Sequence, residues 1–401
     1  MIVIIGLCIS LARGSAQESN GVQSNDTSPL FPIIRDGKMG YIDKAGKVIV
    51  TPQYDEAEIF YEGLAKVKKV EGSKYGYGYI NNKGQLVIPA EYASATHFSE
   101  GLALVSAYFV GGGFQKGFIY QSGKFVFTSI YKPSSPDIYT PQSYSATPRI
   151  GSYSVTPVVG DLSEGISLDS TRIDGVRSFS EGLAAVAVDG KWGYINKSGE
   201  VVIAPQFEFG APSYNSYYNS HLIDFSEGLA AIVLKGKYGF IDKTGSVVIQ
   251  PEYDNVFPFS QGLAAAKTNG KWIFIDKTGE VVIQPGFDNV QPFSEGLAAV
   301  EVDGEWGFID NDGRVIVNFQ FMNAAQPNDV VLSFNDGLAA VQVDSKWGYI
   351  NNTGQIVIQP QYTDALSFYH GLAPVQIPGE SSEGKWGYID KTGRYVWTPT
   401  E

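Results

Sequence analysis

Residues 259–292 read FSQGLAAAKTNGKWIFIDKTGEVVIQPGFDNVQP, and Phe293 starts the same pattern again with FSEGLAAVEVDGEWGFIDNDGRVIVNFQF. The period inside this stretch is two. In Leu297–Val302, Leu297, Ala299 and Glu301 point one way and Ala298, Val300 and Val302 the other, as in a strand. Trp306, Phe308 and Asp310 share one face of the next strand. Asp303-Gly304 between the two strands is a two-residue hairpin turn of the kind that takes positive φ. Asp310–Gly313 makes a second turn and Arg314–Val317 a third strand. Pro251, Pro285 and Pro360 end that strand or mark a sheet edge, since proline supplies no donor. Tyr253-Asp254 and Phe287-Asp288 begin a fourth, short extended piece.

Followed along the chain, the aromatic-glycine step recurs at Gly40, Gly78, Gly117, Gly193, Gly239, Gly307, Gly348 and Gly387, with Ile273 in the glycine's place once. Leu162–Ile166 is the remnant of a further copy. No apolar stripe at helical spacing appears in the body. The expectation is an all-β chain of tandem β-meander or hairpin repeats. One such unit cannot bury its own apolar face, so neighbours must stack. Because unit lengths vary and both ends carry degenerate copies, an open, curved solenoid-like array is preferred, with one or more closed propellers as the alternative.

The parts are expected as follows: a secretory signal over residues 1–16, a polar linker over 17–32, three divergent units over 33–128, an irregular insertion over 129–161, and one degenerate plus about six recognisable units over 162–401. The apolar run Ile2–Ala12 with Gly14-Ser15-Ala16 after it has the outline of an export signal, though no positive residue precedes it. The run is too short to span a membrane. Cys8 inside it is the sole cysteine, so no disulfide framework exists. The net charge of −13, without a block of Lys and Arg, argues against nucleic acid as a partner.

A reaction centre is hard to find. His97, His221 and His370 have no metal-ligand spacing, and Gly111–Lys116 lacks the length and the hydroxyl of a phosphate loop. Asp242, Asp276, Asp310 and Asp390 recur in register and alternate with Asn196 and Asn351, which suits a turn cap better than a tuned catalytic acid. Asp310-Asn311-Asp312-Gly313 alone is too short to enclose calcium. No cofactor or metal is therefore expected. The glycines after the aromatic are expected to let a neighbouring side chain or backbone lie against the strand, most simply as a stacked ring, and Glu181, Glu227 and Glu295 either to accept N–H bonds in their own turns or only to face water. Trp192, Trp306, Trp347 and Trp386 are expected to be buried.

Lys191-Trp192-Gly193-Tyr194-Ile195, Glu305-Trp306-Gly307-Phe308-Ile309 and Lys385-Trp386-Gly387-Tyr388-Ile389, with the Glu-Gly-Leu-Ala strand before them, resemble the bacterial WG β-repeat family. The resemblance covers about Ile33 to Trp397. It implies a β-repeat scaffold of exported and multidomain proteins, with no catalytic residue to carry over. Met39, Tyr77, Lys116 and Tyr238 replace the family's tryptophan, and Trp272 keeps the ring without the glycine. The function expected is a noncatalytic scaffold that binds protein or glycan, or serves a structural role, at the cell envelope or outside the cell. The alternative is a carbohydrate hydrolase whose two carboxylates come from different units, about 5–9.5 Å apart. Recognition is expected from tyrosines in the insertions, Tyr139, Tyr144, Tyr214, Tyr217 and Tyr218, because a phenol joins an apolar ring to a hydrogen-bonding hydroxyl.

Overall fold

The computed structural model describes residues 29–108, 114–131, 173–208, 223–321, 333–377 and 385–398. Among these residues all the regular elements are strands, gathered into nine antiparallel sheets of three or four. Each aromatic-glycine step falls in the middle of one sheet. The seventh sheet shows the plan, with Asn289–Val290, Leu297–Val302, Glu305–Asp310 and Val315–Phe321 side by side in chain order.

Three kinds of turn recur among the described residues. Asp303 and Gly304 both have positive φ, +52° and +84°, the backbone of the tight hairpin read from the sequence. Glu295 and Gly296 repeat that geometry at +52° and +83°, so Ser-Glu-Gly-Leu is a second two-residue turn, closed by the Ser294–Leu297 bridge. In the third, the Asp310 carboxylate accepts the N–H groups of Asp312 at 3.0 Å and Arg314 at 2.9 Å. Asp242, Asp276 and Asp390, and likewise Asn196 and Asn351, make the same two bonds in their sheets. That interchange of acid and amide is what a side chain acting only as acceptor permits.

Packing explains the strict order of apolar residues. Leu297–Val300 is buried on both faces because the seventh sheet has a neighbour on each side. The alanines there allow sheets to approach closely, and larger residues fill the rest of the layer. The phenylalanine opening each unit meets the ring two residues after the repeat's tryptophan position in the preceding sheet. Phe293 lies 4.9 Å from Phe274, Phe334 5.0 Å from Phe308, and Phe368 4.8 Å from Tyr349, all edge-on. Such a pair contributes about 0.5–1.5 kcal/mol beyond the burial of its rings. Each unit is thus joined to the next by a contact that neither completes alone.

The described residues form two compact units. One holds the residues up to Tyr41 together with Ile49–Gln206, and the other holds Ile42–Val48 with the residues from Phe207 onward. In the first, the interlayer cores run from the second sheet to the third and from the third to the fourth. In the other they run from the fifth sheet through to the ninth.

The placing of residues 42–48 decides between the two expected architectures. In successive sheets the glycine of the third turn sits on the edge strand of the sheet before it: Gly279 on Ile249, Gly313 on Ile283, Gly354 on Val317 and Gly393 on Ile358. Gly46, in the first sheet, likewise lies against the edge strand of the ninth, here on the backbone, where an added Cβ would come within 2.2 Å of the Val396 carbonyl oxygen. The first turn therefore completes the succession begun by the last. The sheets are the blades of a nine-bladed β-propeller, the alternative of the two architectures, and the preferred open array is not what forms. Unequal unit lengths do not oppose closure because the described strands change little in length from sheet to sheet. The middle strands keep five to eight residues throughout.

Candidate functional site

The residues with fixed places in the repeat are bound up in its construction. In the eighth sheet Trp347 pairs with Tyr362, and Tyr349 pairs with Ile358. Between these pairs Gly348 alone faces three residues of the edge strand, Gln359–Gln361, which bulges over it. A Cβ at Gly348 would lie 2.5 Å from the Ile358 oxygen and 2.7 Å from the Pro360 nitrogen. The glycine makes room for a neighbouring backbone, one of the two neighbours the sequence allowed, and not for a stacked ring. Where Ile273 replaces glycine, the edge strand facing it carries a glycine of its own, Gly286.

Repeated carboxylates tie sheet to sheet. Glu295 does not cap its own turn: its Oε2 accepts the N–H of Gly337, one unit on, at 2.9 Å. Glu62 does the same for Gly101, Glu100 for Gly182, Glu227 for Gly262, and Asp336 for Gly371, while Gln261 serves Gly296 with an amide oxygen. At the opposite end of the sheets, Asp288 accepts from Lys271 of the sheet before it at 2.5 Å and from the Asp303 N–H of its own sheet's hairpin at 3.0 Å. Asp254 takes Lys237 at 2.5 Å, and Asp55 joins Lys38 to the Val70 N–H, both at 2.7 Å. The hydrogen bond from Lys271 is the main cause holding the Asp288 carboxyl below the usual carboxylate range, and Lys237 does the same at Asp254. A carboxylate held ionised by a lysine and a backbone N–H is a strut, not a proton donor.

The sites singled out in the sequence fare unevenly. Tyr139, Tyr144, Tyr214, Tyr217 and Tyr218 lie outside the described residues, as do His221, Gly111–Gly113, Cys8, residues 1–28 and the Leu162–Ile166 remnant. His97 stacks on Tyr61 at 4.2 Å, and His370 meets Tyr369 edge-on at 4.2 Å. Arg314 pairs with both Asp312 and Asp310, occupying the acidic turn considered for calcium. Among the described residues no group of three or more His, Cys, Asp or Glu side chains could hold a metal, and no helix is long and apolar enough to cross a membrane. Trp306 and Trp347 are buried, whereas Trp192 and Trp386 are half-buried, which corrects the expectation that all four are enclosed.

Two departures from the repeat carry chemistry that sequence reasoning passed over. In the second sheet the middle hairpin is two cross-strand pairs longer than in the seventh, Val70–Tyr75 and Glu71–Lys74 being the additions. There Lys68 stands over the rings of Tyr75 and Tyr77, at 5.1 and 5.4 Å, and pairs with Glu56 at 2.6 Å. In the third sheet Lys116 occupies the tryptophan position. Its cross-strand partner is Ser106, and Ser106 in turn pairs with Ser94, to which it is hydrogen-bonded. The substitution Trp→Lys in the repeat was visible; that two serines share its rung depends on strand register.

A family model described as "WG containing repeat" matches residues 39–75, 77–106, 171–192, 192–219, 238–272, 274–306, 306–347 and 347–379, well over half of the chain. No curated protein sequence matches. Among solved structures, the chain is similar to dipeptidyl peptidase 4 of Porphyromonas gingivalis, at 10% identity and a TM-score of 0.49, over 83% of this chain and 57% of that one. It is also similar to PorZ, a bacterial surface component of the type-IX secretion system of Porphyromonas gingivalis, at 9% identity and a TM-score of 0.29, over 91% and 44%. The chain spans about half the length of these solved chains.

Proposed function

The chain belongs to the WG containing repeat family, and on that premise we propose that it is a noncatalytic scaffold that displays loops for binding protein or glycan at the cell envelope or outside the cell. It is a tandem β-repeat scaffold. One observation carries the rest: among the described residues, acidic residues that recur from unit to unit are engaged in turns and in ties between sheets, which suits a structural role for them. Units differ where the strands are interrupted. The segments 109–113, 132–172, 209–222, 322–332 and 378–384 each begin at the sheet end that carries the tryptophan position, since Tyr108, Tyr131, Glu208, Phe321 and Ile377 all pair there. Segments that interrupt a repeat are the usual place for recognition.

Tyr139, Tyr144, Tyr214, Tyr217 and Tyr218 belong to two of these segments and are the residues proposed to make contact. Export is supported by the apolar run Ile2–Ala12 and the small residues after it. The test compares the intact chain with a variant whose five tyrosines are changed to serine, in a pull-down from envelope extracts and on a glycan panel. Binding by the intact protein that the folded variant loses is the expected result. Equal binding by both would move the partner surface away from these loops.

A further inference from the structure

The second sheet departs from the repeat on one face. Lys66 stands where the corresponding residue of every other described sheet is apolar, as Ala231, Ala299 and Ala340 are. It pairs with Glu58 at 2.7 Å, the two side chains being 16% and 20% exposed, and donates to the Ala95 carbonyl of the third sheet at 3.1 Å. One step outward, Lys68 pairs with Glu56 at 2.6 Å, and the Tyr77 hydroxyl donates to the other oxygen of Glu56 at 3.1 Å. The lengthened hairpin then adds the pair Val70–Tyr75, 39% and 52% exposed. Cross-strand partners point to one face, and so do residues two apart in a strand. Lys66, Lys68 and Val70 therefore share a face with Tyr77 and Tyr75, and this face runs from the interior out to solvent. The two rings meet edge-on at 6.3 Å, with Lys68 over both.

We propose that this face is a binding site for an uncharged sugar chain, with a pyranose ring stacked on Tyr75 and its hydroxyls held by Glu56 and Lys68. The charges are engaged with each other, Lys68 with Glu56 and Lys66 with Glu58, so they cancel pair by pair and give the face no preference for an ion. Pairing does not exhaust them, because an ammonium has three donors and a carboxylate about four acceptor positions. Glu56 and Lys68 keep 30% and 22% of their side chains in solvent, where a ligand reaches them. A sugar hydroxyl both donates and accepts, so it suits the two members of such a pair at once. The bonds from Lys68 and Tyr77 to Glu56 hold these groups in place before a ligand arrives, which lowers the ordering cost of binding. Tyr75 supplies a rigid apolar ring with a hydroxyl at its tip, more than half of it in solvent. A stable protein partner needs about 800 Å² on each side, and the exposed apolar part of this face is only Val70 and Tyr75. The proposal goes beyond the loop-binding reading, since none of its residues lies in the loops.

The test titrates the full chain by calorimetry with cellohexaose, xylohexaose, mannohexaose and chitohexaose as separate probes. The intact protein is expected to bind at least one of them saturably, with an affinity that stays level as salt rises from about 50 to 500 mM, since an uncharged ligand is not screened. Tyr75→Ala, at an exposed site near the hairpin tip, should melt as the parent does and bind roughly tenfold more weakly or not at all. Tyr75→Trp, which offers a larger ring, should retain binding. The variant with the five loop tyrosines changed to serine should bind the same sugar as the intact chain does, so the failure of this site and the failure of the loop reading are distinguishable. No saturable binding of any of the four sugars, or unchanged affinity in folded Tyr75→Ala, would overturn the proposal. So would affinity that falls steeply with salt, which marks a charged ligand, or a protein captured through Tyr75 by a chain that binds no sugar.

Discussion

Trp306 and Trp347 are 7% and 4% exposed, while the equivalent Trp192 and Trp386 keep part of their rings in solvent. Replacing Trp306 or Trp347 by alanine should cost about 3–5 kcal/mol, and the half-buried pair should cost distinctly less. Urea unfolding of the four variants measures the difference. The acids give a second expectation. Asp254 and Asp288 titrate lower in the folded chain than the value near 3.9 of an unfolded one, chiefly through Lys237 and Lys271. Their contribution is complete above the unfolded pKa and is lost as pH falls through the folded one. The urea midpoint should therefore change little between about pH 7 and 5 and fall below about pH 4. Asp288→Asn should reduce that acid sensitivity. At this scale the sequence was an uneven guide. That Asp310 caps a turn was legible, because its partners lie two and four residues away. That Gly348 accommodates the Ile358 carbonyl was not, because a bulge is a relation between two strands.

A single sheet is legible almost strand for strand from residues 293–321, because period two and two-residue turns are local signals. The ties between sheets are not, since their partners are a whole unit apart. Glu295 and Gly337 are separated by 42 residues, and only the stacking of their sheets joins them. Gln261 makes the corresponding bond with an amide, so the tie needs an acceptor and not a charge. Glu295→Gln should therefore leave stability nearly unchanged. Glu295→Ala should cost about 0.5–1.5 kcal/mol and speed hydrogen exchange at the Gly337 amide, and exchange measured residue by residue separates the two variants. Faster exchange in both would mean that the carboxylate charge matters beyond the single bond. The candidate loops follow a similar logic: their tyrosines can be read in the sequence, and what they meet cannot, because no periodicity constrains an insertion.

For the whole molecule, the place of each described sheet was legible from its aromatic-glycine step and the closure was not. Nine such positions fall in the nine sheets among the described residues, but an array and a propeller use the same contact between neighbours. Only one contact tells them apart, the first turn against the last sheet, and nothing in the repeat distinguishes Gly46 from Gly279 or Gly313. The most direct measurement is a spin-label distance between Ala45 and Arg394, both exposed, introduced as cysteines after Cys8→Ser. Closure through Gly46 and Val396 predicts a single narrow distribution at roughly 20–25 Å, about one sheet spacing plus the two label linkers. A broad distribution centred well beyond that, toward the roughly 80 Å that eight sheet spacings would give in an open stack, would contradict the propeller.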